Sequence, residues 1–260
     1  MTLEATLNCD CGESFGPWQI GADEELFGIV DIANAACGFH GSDFDVMAKT
    51  VALAKKYGVG IGAHPGYPDL QGFGRRPLHM PPDSFFNMIV YQVGALEAFL
   101  RLNGMQYNHL KPHGQAFIMS SKDINLARQS AKVAKMYNVP LLGLPGSAHQ
   151  QACEEEGTEF IAEWYADLQY SSDGFLLPPL SASQRTPITG EQVYKRTRGM
   201  LETSSWLSAD GQTVSFPQGT KKISICVHGD FPGAVNVARA VRRAIDDVKN
   251  GVPAPVTYEA

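Results

Sequence analysis

Hydrophobic and polar positions follow two rhythms along this chain. Short apolar runs at 5–9, 29–35, 59–63, 107–110, 140–144, 159–162 and 223–227 have the length and bounds of strands. Longer amphipathic stretches at 43–57, 82–103, 123–137, 147–156, 191–203 and 231–250 carry the helical period. In the first of these, Val46, Val51 and Ala54 share one face, with Lys49, Lys55 and Lys56 off it. Asp43 stands where a helix cap is needed, and Gly58 where a left-handed turn ends the helix. In the last, Val237, Val241 and Ile245 form a stripe that excludes Arg239, Arg242 and Asp246.

Strands alternating with helices predict an α/β fold with parallel pairing and right-handed crossovers. The choice between an open sheet and a barrel falls to the polar residues. Nearly every predicted strand ends in chemically capable side chains: Asn8, Asp10 and Glu13; Asn34 and His40; His64; Lys111 and His113; Glu163 and Asp167; His228 and Asp230. An open sheet gathers function at one switch point, whereas a barrel mouth collects it from many strand ends. The pattern therefore predicts a β/α barrel, irregular because seven strands stand where eight are usual. Segment 165–190, with Pro178, Pro179 and Pro187, reads as an irregular loop over the site. Segment 206–216 alternates about Asp210-Gly211 and predicts a small hairpin insertion. No linker divides the chain, so 1–260 reads as one domain.

Composition adds exclusions. With 260 residues, 44% hydrophobic and 18% charged, the chain can build a core without staples. A net charge of −6 and 21 scattered Lys and Arg argue against nucleic-acid or membrane-surface binding. No apolar run approaches the ~20 residues of a membrane span. Five cysteines, an odd number, read as small buried residues and not a disulfide framework. The first ten residues lack a basic-then-apolar leader, so a cytoplasmic protein is expected. No GxxxxGK[ST], GxGxxG, HExxH or GxSxG pattern is present, so a standard nucleotide loop in this chain is not expected.

Of seven histidines, four have a glycine one or two residues later at a predicted strand end: His40, His64, His113 and His228. Asn8-Cys9-Asp10-Cys11-Gly12-Glu13 offers carboxylates that activate water or hold a metal, or else an ordinary turn. The small residues of Asn34-Ala35-Ala36-Cys37-Gly38-Phe39 let the backbone pack closely before presenting His40. The glycine- and proline-rich stretch from His64 ends in Arg75 and Arg76, suited to a carboxylate or phosphate, or to pairing with surface acids. Lys111-Pro112-His113 sets an ammonium beside an imidazole, where partial desolvation lowers a lysine pKa. Asp230 is placed to orient His228, or to cap a helix. His79, His109 and His149 lack these features and read as structural.

Together these segments resemble the LamB/YcsF family of lactam-utilisation proteins, whose bacterial members form one subunit of ATP-dependent 5-oxoprolinase. The resemblance runs from Leu7 to about Asn250 and rests on Asn8-Cys9-Asp10-x-Gly12-Glu13, Asn34-x-Ala36-Cys37-Gly38-Phe39-His40, Gly62 through Arg76 and Lys111-Pro112-His113-Gly114. Glu163-x-x-Ala166-Asp167-x-x-Tyr170 and Cys226-x-His228-Gly229-Asp230-x-Pro232 complete it. The family pattern has Leu at Cys11, Ala-Gly-Asp at Gly41-Ser42-Asp43, Gly-Ala-Leu-Tyr-Asn at Gly114-Gln115-Ala116-Phe117-Ile118, Arg at Leu168 and Pro-Arg-Ser at Pro179-Leu180-Ser181. Arg185 is a candidate substitute for a missing arginine.

The resemblance implies an irregular seven-stranded barrel similar to glycoside hydrolase and deacetylase barrels. It also implies a part in opening 5-oxo-L-proline to L-glutamate, with ATP used by partner subunits. On that reading Asp10, Glu13, His40, His64, Lys111, His228 and Asp230 carry catalysis. Asp10 activates water or binds a metal, Lys111 steadies the developing oxygen charge, and Asp230 or Glu13 protonates nitrogen. Asn8, Asn34, Arg75, Arg76, His113, Glu163 and Asp167 bind substrate. A divalent metal, with Asp10, His40 and His64 as candidate ligands, belongs to an alternative: a stand-alone metal-dependent amide hydrolase or deacetylase. A non-catalytic ligand-binding subunit is the third.

Overall fold

The structure is a computed structural model that describes residues 3–177 and 188–254. The elements in chain order are β1 (Glu4–Cys11), α1 (Asp23–Phe27), β2 (Ile32–Ala36), α2 (Phe44–Tyr57), β3 (Gly60–His64), α3 (Pro82–Leu102), α4 (Gly114–Lys122) and α5 (Ile124–Met136). Then follow β4 (Leu141–Gly143), α6 (Ala148–Glu156), β5 (Phe160–Tyr165), α7 (Gly190–Thr203), β6 (Ser205–Leu207), β7 (Thr213–Ser215), β8 (Lys222–Val227) and α8 (Ala234–Lys249).

Six parallel strands run in the order β3-β2-β1-β8-β5-β4. Leu110 joins the outer two, bridging Ala63 on one side and Leu141 on the other. Its N–H donates to Pro140 O at 2.9 Å and its carbonyl accepts from Leu142 N at 2.9 Å, while Lys111 N donates to Ala63 O at 3.0 Å. The ring thus closes as the irregular seven-part α/β barrel expected, but the seventh strand is a single bridge. Past Lys111, His113 N still donates to Pro65 O at 2.9 Å, but Pro65, lacking an N–H, cannot return a bond to the Lys111 carbonyl.

The parallel register sets the site. Asp10 pairs with Asn34, which pairs with Gly62, so their side-chain positions form one inward row across β1, β2 and β3. Leu7, Cys9, Ile61, Leu141, Trp164 and Ile225 are fully buried on the strands. All five cysteines are buried and free. Outside the strands, α8 buries Val237, Ala238, Val241, Ala244 and Ile245 and packs on α7. On α2, Asp43 Oδ1 accepts from Asp45 N and Val46 N, both at 2.9 Å, and Gly58 ends the helix at φ 70°.

Some boundaries differ from the sequence pattern for local reasons. Strand β2 starts at Ile32 because the N–H groups of Ile29 and Val30 still bond to Leu26 O at the end of α1. Helix α8 begins at Ala234, not Phe231, after Gly233 takes φ 82°. Helix α4 had no amphipathic signature, since Ser120 and Ser121 are buried and bond back to helix carbonyls. The hairpin is present as antiparallel β6–β7, in a sheet of its own. Within 165–190, residues 178–187, with Pro178, Pro179, Leu180, Arg185 and Pro187, lie outside the described part.

Closing the ring through one buried leucine yields a test. Leu110→Ala is expected to lower unfolding free energy by about 2–5 kcal/mol. Leu102→Ala, at a side chain 82% exposed on α3, is expected to stay within about 0.5 kcal/mol of the parent in the same urea titration.

Candidate active site

Asp10 sits on the inner row near the end of β1, buried, and each of its oxygens has work. Oδ1 accepts from Lys111 Nζ at 2.8 Å and Asn34 Nδ2 at 2.7 Å. Oδ2 lies 3.3 Å from His64 Nε2 and 3.8 Å from His228 Nε2. Burial opposes its charge, but His64 and the Lys111 ammonium outweigh it and hold the carboxyl well below its ordinary value. Asn34 is fixed in turn: its other Nδ2 contact is Asn8 Oδ1 at 2.7 Å, and His109 Nε2 donates to its Oδ1 at 2.6 Å. Asn8 itself donates to Ser224 Oγ at 2.7 Å. Asn8 and Asn34 therefore support Asp10 from below. His109, read from sequence as structural, holds Asn34 in place; burial pushes it down to about 3, so it is neutral.

The absence of a side chain at Gly62 admits His109. A Cβ there would stand 2.3 Å from His109 Nε2.

Lys111 is not the half-solvated amine suggested by its position. It is buried, 2.8 Å from Asp10 Oδ1, 3.0 Å from Glu163 Oε1 and 3.1 Å from Cys226 Sγ. Burial disfavours the ammonium, yet Asp10, Cys226 and Glu163 overcome this and raise its pKa. Two carboxylates already take up its charge, and through the 2.8 Å contact it holds Asp10 in place. Glu163 Oε2 accepts from Tyr165 OH at 2.7 Å.

Behind Asp10 lies a second cluster. His64 Nδ1 donates to Lys111 O at 2.8 Å, and His113 Nε2 donates to Phe73 O at 2.8 Å. His64 Nε2 and His113 Nδ1 then face one another at 3.0 Å. Glu13 Oε1 is 3.4 Å from His113 Nδ1 and 3.2 Å from His40 Nε2. Burial, then Asp10 and Asp230, push the Glu13 carboxyl up; burial, then neighbouring imidazoles, push His40 and His113 down. One donor atom each from Glu13, His40, His64 and His113 lie mutually within 4.8 Å, as do those of Asp10, Cys226 and His228. The trio Asp10, His40 and His64 proposed for a metal is thus divided between two groups, because His40 turns to Glu13.

On the opposite side of Asp10, Asp167 rather than Asp230 orients His228. Asp167 Oδ2 accepts from His228 N at 2.8 Å and its Oδ1 from Nδ1 at 2.9 Å. Asp230 instead pairs with Arg75 at 2.8 Å. Arg76, 67% exposed, turns to Asp69, so it does not join the site. The His228 ring lies between Tyr165 and Phe231, at 5.6 and 4.8 Å. A small pocket opens above, floored by Asp10, His64, Lys111, His113 and His228, with Arg75 at its side. Phe117, Ile118, Leu168, Leu176, Leu177 and Phe231 make its walls apolar. Glu13, His40 and Asp230 do not line it. Tyr165, Leu176, Leu177 and Phe231 were not anticipated, since such side chains carry no chemical signal in sequence, and Phe117, Ile118 and Leu168 were marked only as departures from the family pattern.

A family model described as "LamB/YcsF family" matches residues 5–257. The chain belongs to the LamB/YcsF family. A protein named lactam utilization protein lamB from Emericella nidulans is 39% identical over 94% of this chain and 95% of its own. A 5-oxoprolinase subunit from Symbiobacterium thermophilum is 41% identical over 96% of this chain and 94% of its own. The crystal structure of a lactam utilization protein from Thermus thermophilus superposes with a TM-score of 0.84 at 35% identity, covering 95% of this chain and 98% of that one. In this LamB/YcsF protein Phe117, Ile118 and Leu168, three positions where the sequence departs from the family pattern, all stand on the pocket wall. Leu180 lies outside the described residues. Among the described residues no helix is long and apolar enough to cross a membrane.

Two outcomes follow from this geometry. Gly62→Ala is expected to displace His109 and loosen Asn34, costing roughly 1–3 kcal/mol in urea unfolding. For His228, burial disfavours the charged ring, but Asp167 outweighs it and raises the pKa. A raised folded pKa means that the stability from this pair is full below about pH 6.5, the unfolded value, and is lost as pH rises through the folded one. Unfolding free energies measured from pH 6 to 9 should therefore decline, and Asp167→Asn should flatten that decline.

Proposed function

We propose that this chain is the ring-opening subunit of an ATP-dependent lactam amidohydrolase of the 5-oxoprolinase kind. The observation that carries the reading is Asp10: a carboxylate held ionised on the pocket floor, with Oδ2 between two imidazole Nε2 atoms. The names of the relatives, one a lactam utilization protein and the other a 5-oxoprolinase subunit, support the substrate class.

Asp10 Oδ2 takes a proton from the water that attacks the lactam carbonyl carbon. His228, its charged form favoured and its ring aimed by Asp167, lies against the oxygen side of the tetrahedral centre and gives its Nε2 proton to the ring nitrogen as the C–N bond breaks. His228 is a better acid for this step than Glu13 or Asp230, which lie off the pocket. The product is an amino acid with a new carboxylate, 5-oxo-L-proline giving L-glutamate. Arg75, at the pocket's side, is the candidate to meet a substrate carboxylate, exchanging it for Asp230. ATP acts at partner subunits, phosphorylating the lactam oxygen so that the ring carbon is more electrophilic; C–N cleavage then leaves an acyl phosphate, which a second water converts to the carboxylate and inorganic phosphate, and the complex works in the cytoplasm.

The second reading, a stand-alone metal-dependent hydrolase, draws on the Glu13, His40, His64 and His113 cluster. A divalent ion held there would supply Lewis-acid polarisation.

The test is ring-opened product from 5-oxo-L-proline and related lactams, with and without ATP and partner subunits. Asp10→Asn is expected to lower kcat by about 10²–10⁴-fold, with assembly of the complex retained. His228→Gln should lower kcat and remove the alkaline limb of the pH profile. ATP consumption by the isolated chain would overturn the division of labour, and full turnover by Asp10→Asn would overturn the assignment of the base.

A further inference from the structure

We propose that His64, His113 and Glu13 form a site for one transition-metal ion of the zinc class, with His40 as the residue that positions Glu13. Hydrogen bonds to the backbone leave two of these rings no choice of tautomer. A backbone carbonyl only accepts, so the 2.8 Å contact to Lys111 O fixes the proton of His64 on Nδ1. The 2.8 Å contact to Phe73 O likewise fixes that of His113 on Nε2. Both remaining nitrogens then face one another at 3.0 Å in a buried space, with Asp10 Oδ2 also 3.3 Å from the His64 nitrogen. Glu13 Oε1 completes the third corner at 3.4 Å from His113 Nδ1.

These atoms, with Asp10 Oδ2 3.3 Å from His64 Nε2, converge away from water and repel one another unless a cation or a shared proton stands among them. Ligand atoms at about 2.0–2.1 Å from a four-coordinate zinc are themselves about 3.3 Å apart, which matches these separations. The rings of His64 and His113 meet at 90°, leaving each nitrogen free to point at a common centre. His40 differs. Its ring stacks face to face on His113 at 3.6 Å and 2°, so the two in-plane lone pairs run parallel and do not converge. His40 Nε2 instead holds Glu13 Oε1 at 3.2 Å. Two histidine nitrogens and one carboxylate oxygen, with positions left open, suit zinc, cobalt or manganese and not magnesium or calcium, which demand oxygen cages. The carbonyls behind both imidazoles are the outer contacts that usually fix a ligating ring.

The site does not rest on the proposed reaction, and its test uses no turnover. The purified full chain is stripped with a chelator, equilibrated with zinc or cobalt at tenfold excess, desalted and analysed for metal. About one ion per chain is expected, with visible-region d–d absorption for cobalt and a raised Tm that magnesium does not give. Glu13→Gln and His113→Gln should weaken zinc binding at least 100-fold, while Cys226→Ser and Arg76→Ala should bind as the parent does. If either ligand variant unfolds, the parent's stoichiometry, Tm shift and cobalt spectrum still decide. A folded parent chain that retains no ion overturns the proposal and makes a shared proton the cation between the rings. Loss on Cys226→Ser with retention on Glu13→Gln also overturns it, moving the ion to Asp10, Cys226 and His228.

Discussion

The ammonium of Lys111 lies in the barrel interior between the carboxylates of Asp10 and Glu163, and much else is arranged to make that burial tolerable. Three charges without water cost several kcal/mol each unless every one finds partners. The row beneath Asp10 exists for this reason. Asn34, Asn8, Ser224 and His109 form a polar layer that crosses β1, β2 and β8 and passes their hydrogen bonds upward to a single carboxylate oxygen. The other oxygen is left for chemistry. A barrel built from parallel strands supplies such a layer naturally, because register partners face the same way.

This layering separates roles that look alike in sequence. Four histidines beside glycines occupy three different situations. His228 stands at the pocket with an acid behind it, His64 is shared between the pocket and the deeper cluster, and His113 and His40 are stacked, with His113 reaching both. What distinguishes them is which second nitrogen is tied down and by what. That depends on carbonyls of Lys111 and Phe73, groups invisible to any reading of side-chain types.

Much of the architecture was legible because it follows from periodicity. The strand and helix order and the capping Asp43 came from spacing alone, whereas the strand read at 107–110 is a single bridge at Leu110. The gathering of strand-end residues was legible too, since parallel strands put their C-terminal ends at one mouth. Pairings were not. Asp230 follows His228 closely in the chain, but a turn aims it at Arg75, and Asp167 arrives from β5 to take its place. Lys111 looked half-solvated because a strand end implies exposure, whereas Glu163 on a neighbouring strand draws it inward. Phe117, Ile118 and Leu168 stood out as departures from the family pattern, but not as an apolar wall, because burial of such residues is ordinary until a cavity is seen beside them.

The single bridge at Leu110 has one more consequence. Every other junction in the ring is a ladder of several paired residues, but here the wall is held by a few hydrogen bonds to β3 and β4. Segments held this way are the first to open in local fluctuations. The barrel therefore has a seam, and the residue immediately after it is Lys111. An opening confined to this seam would bring water to the buried ion pairs without dismantling the other staves.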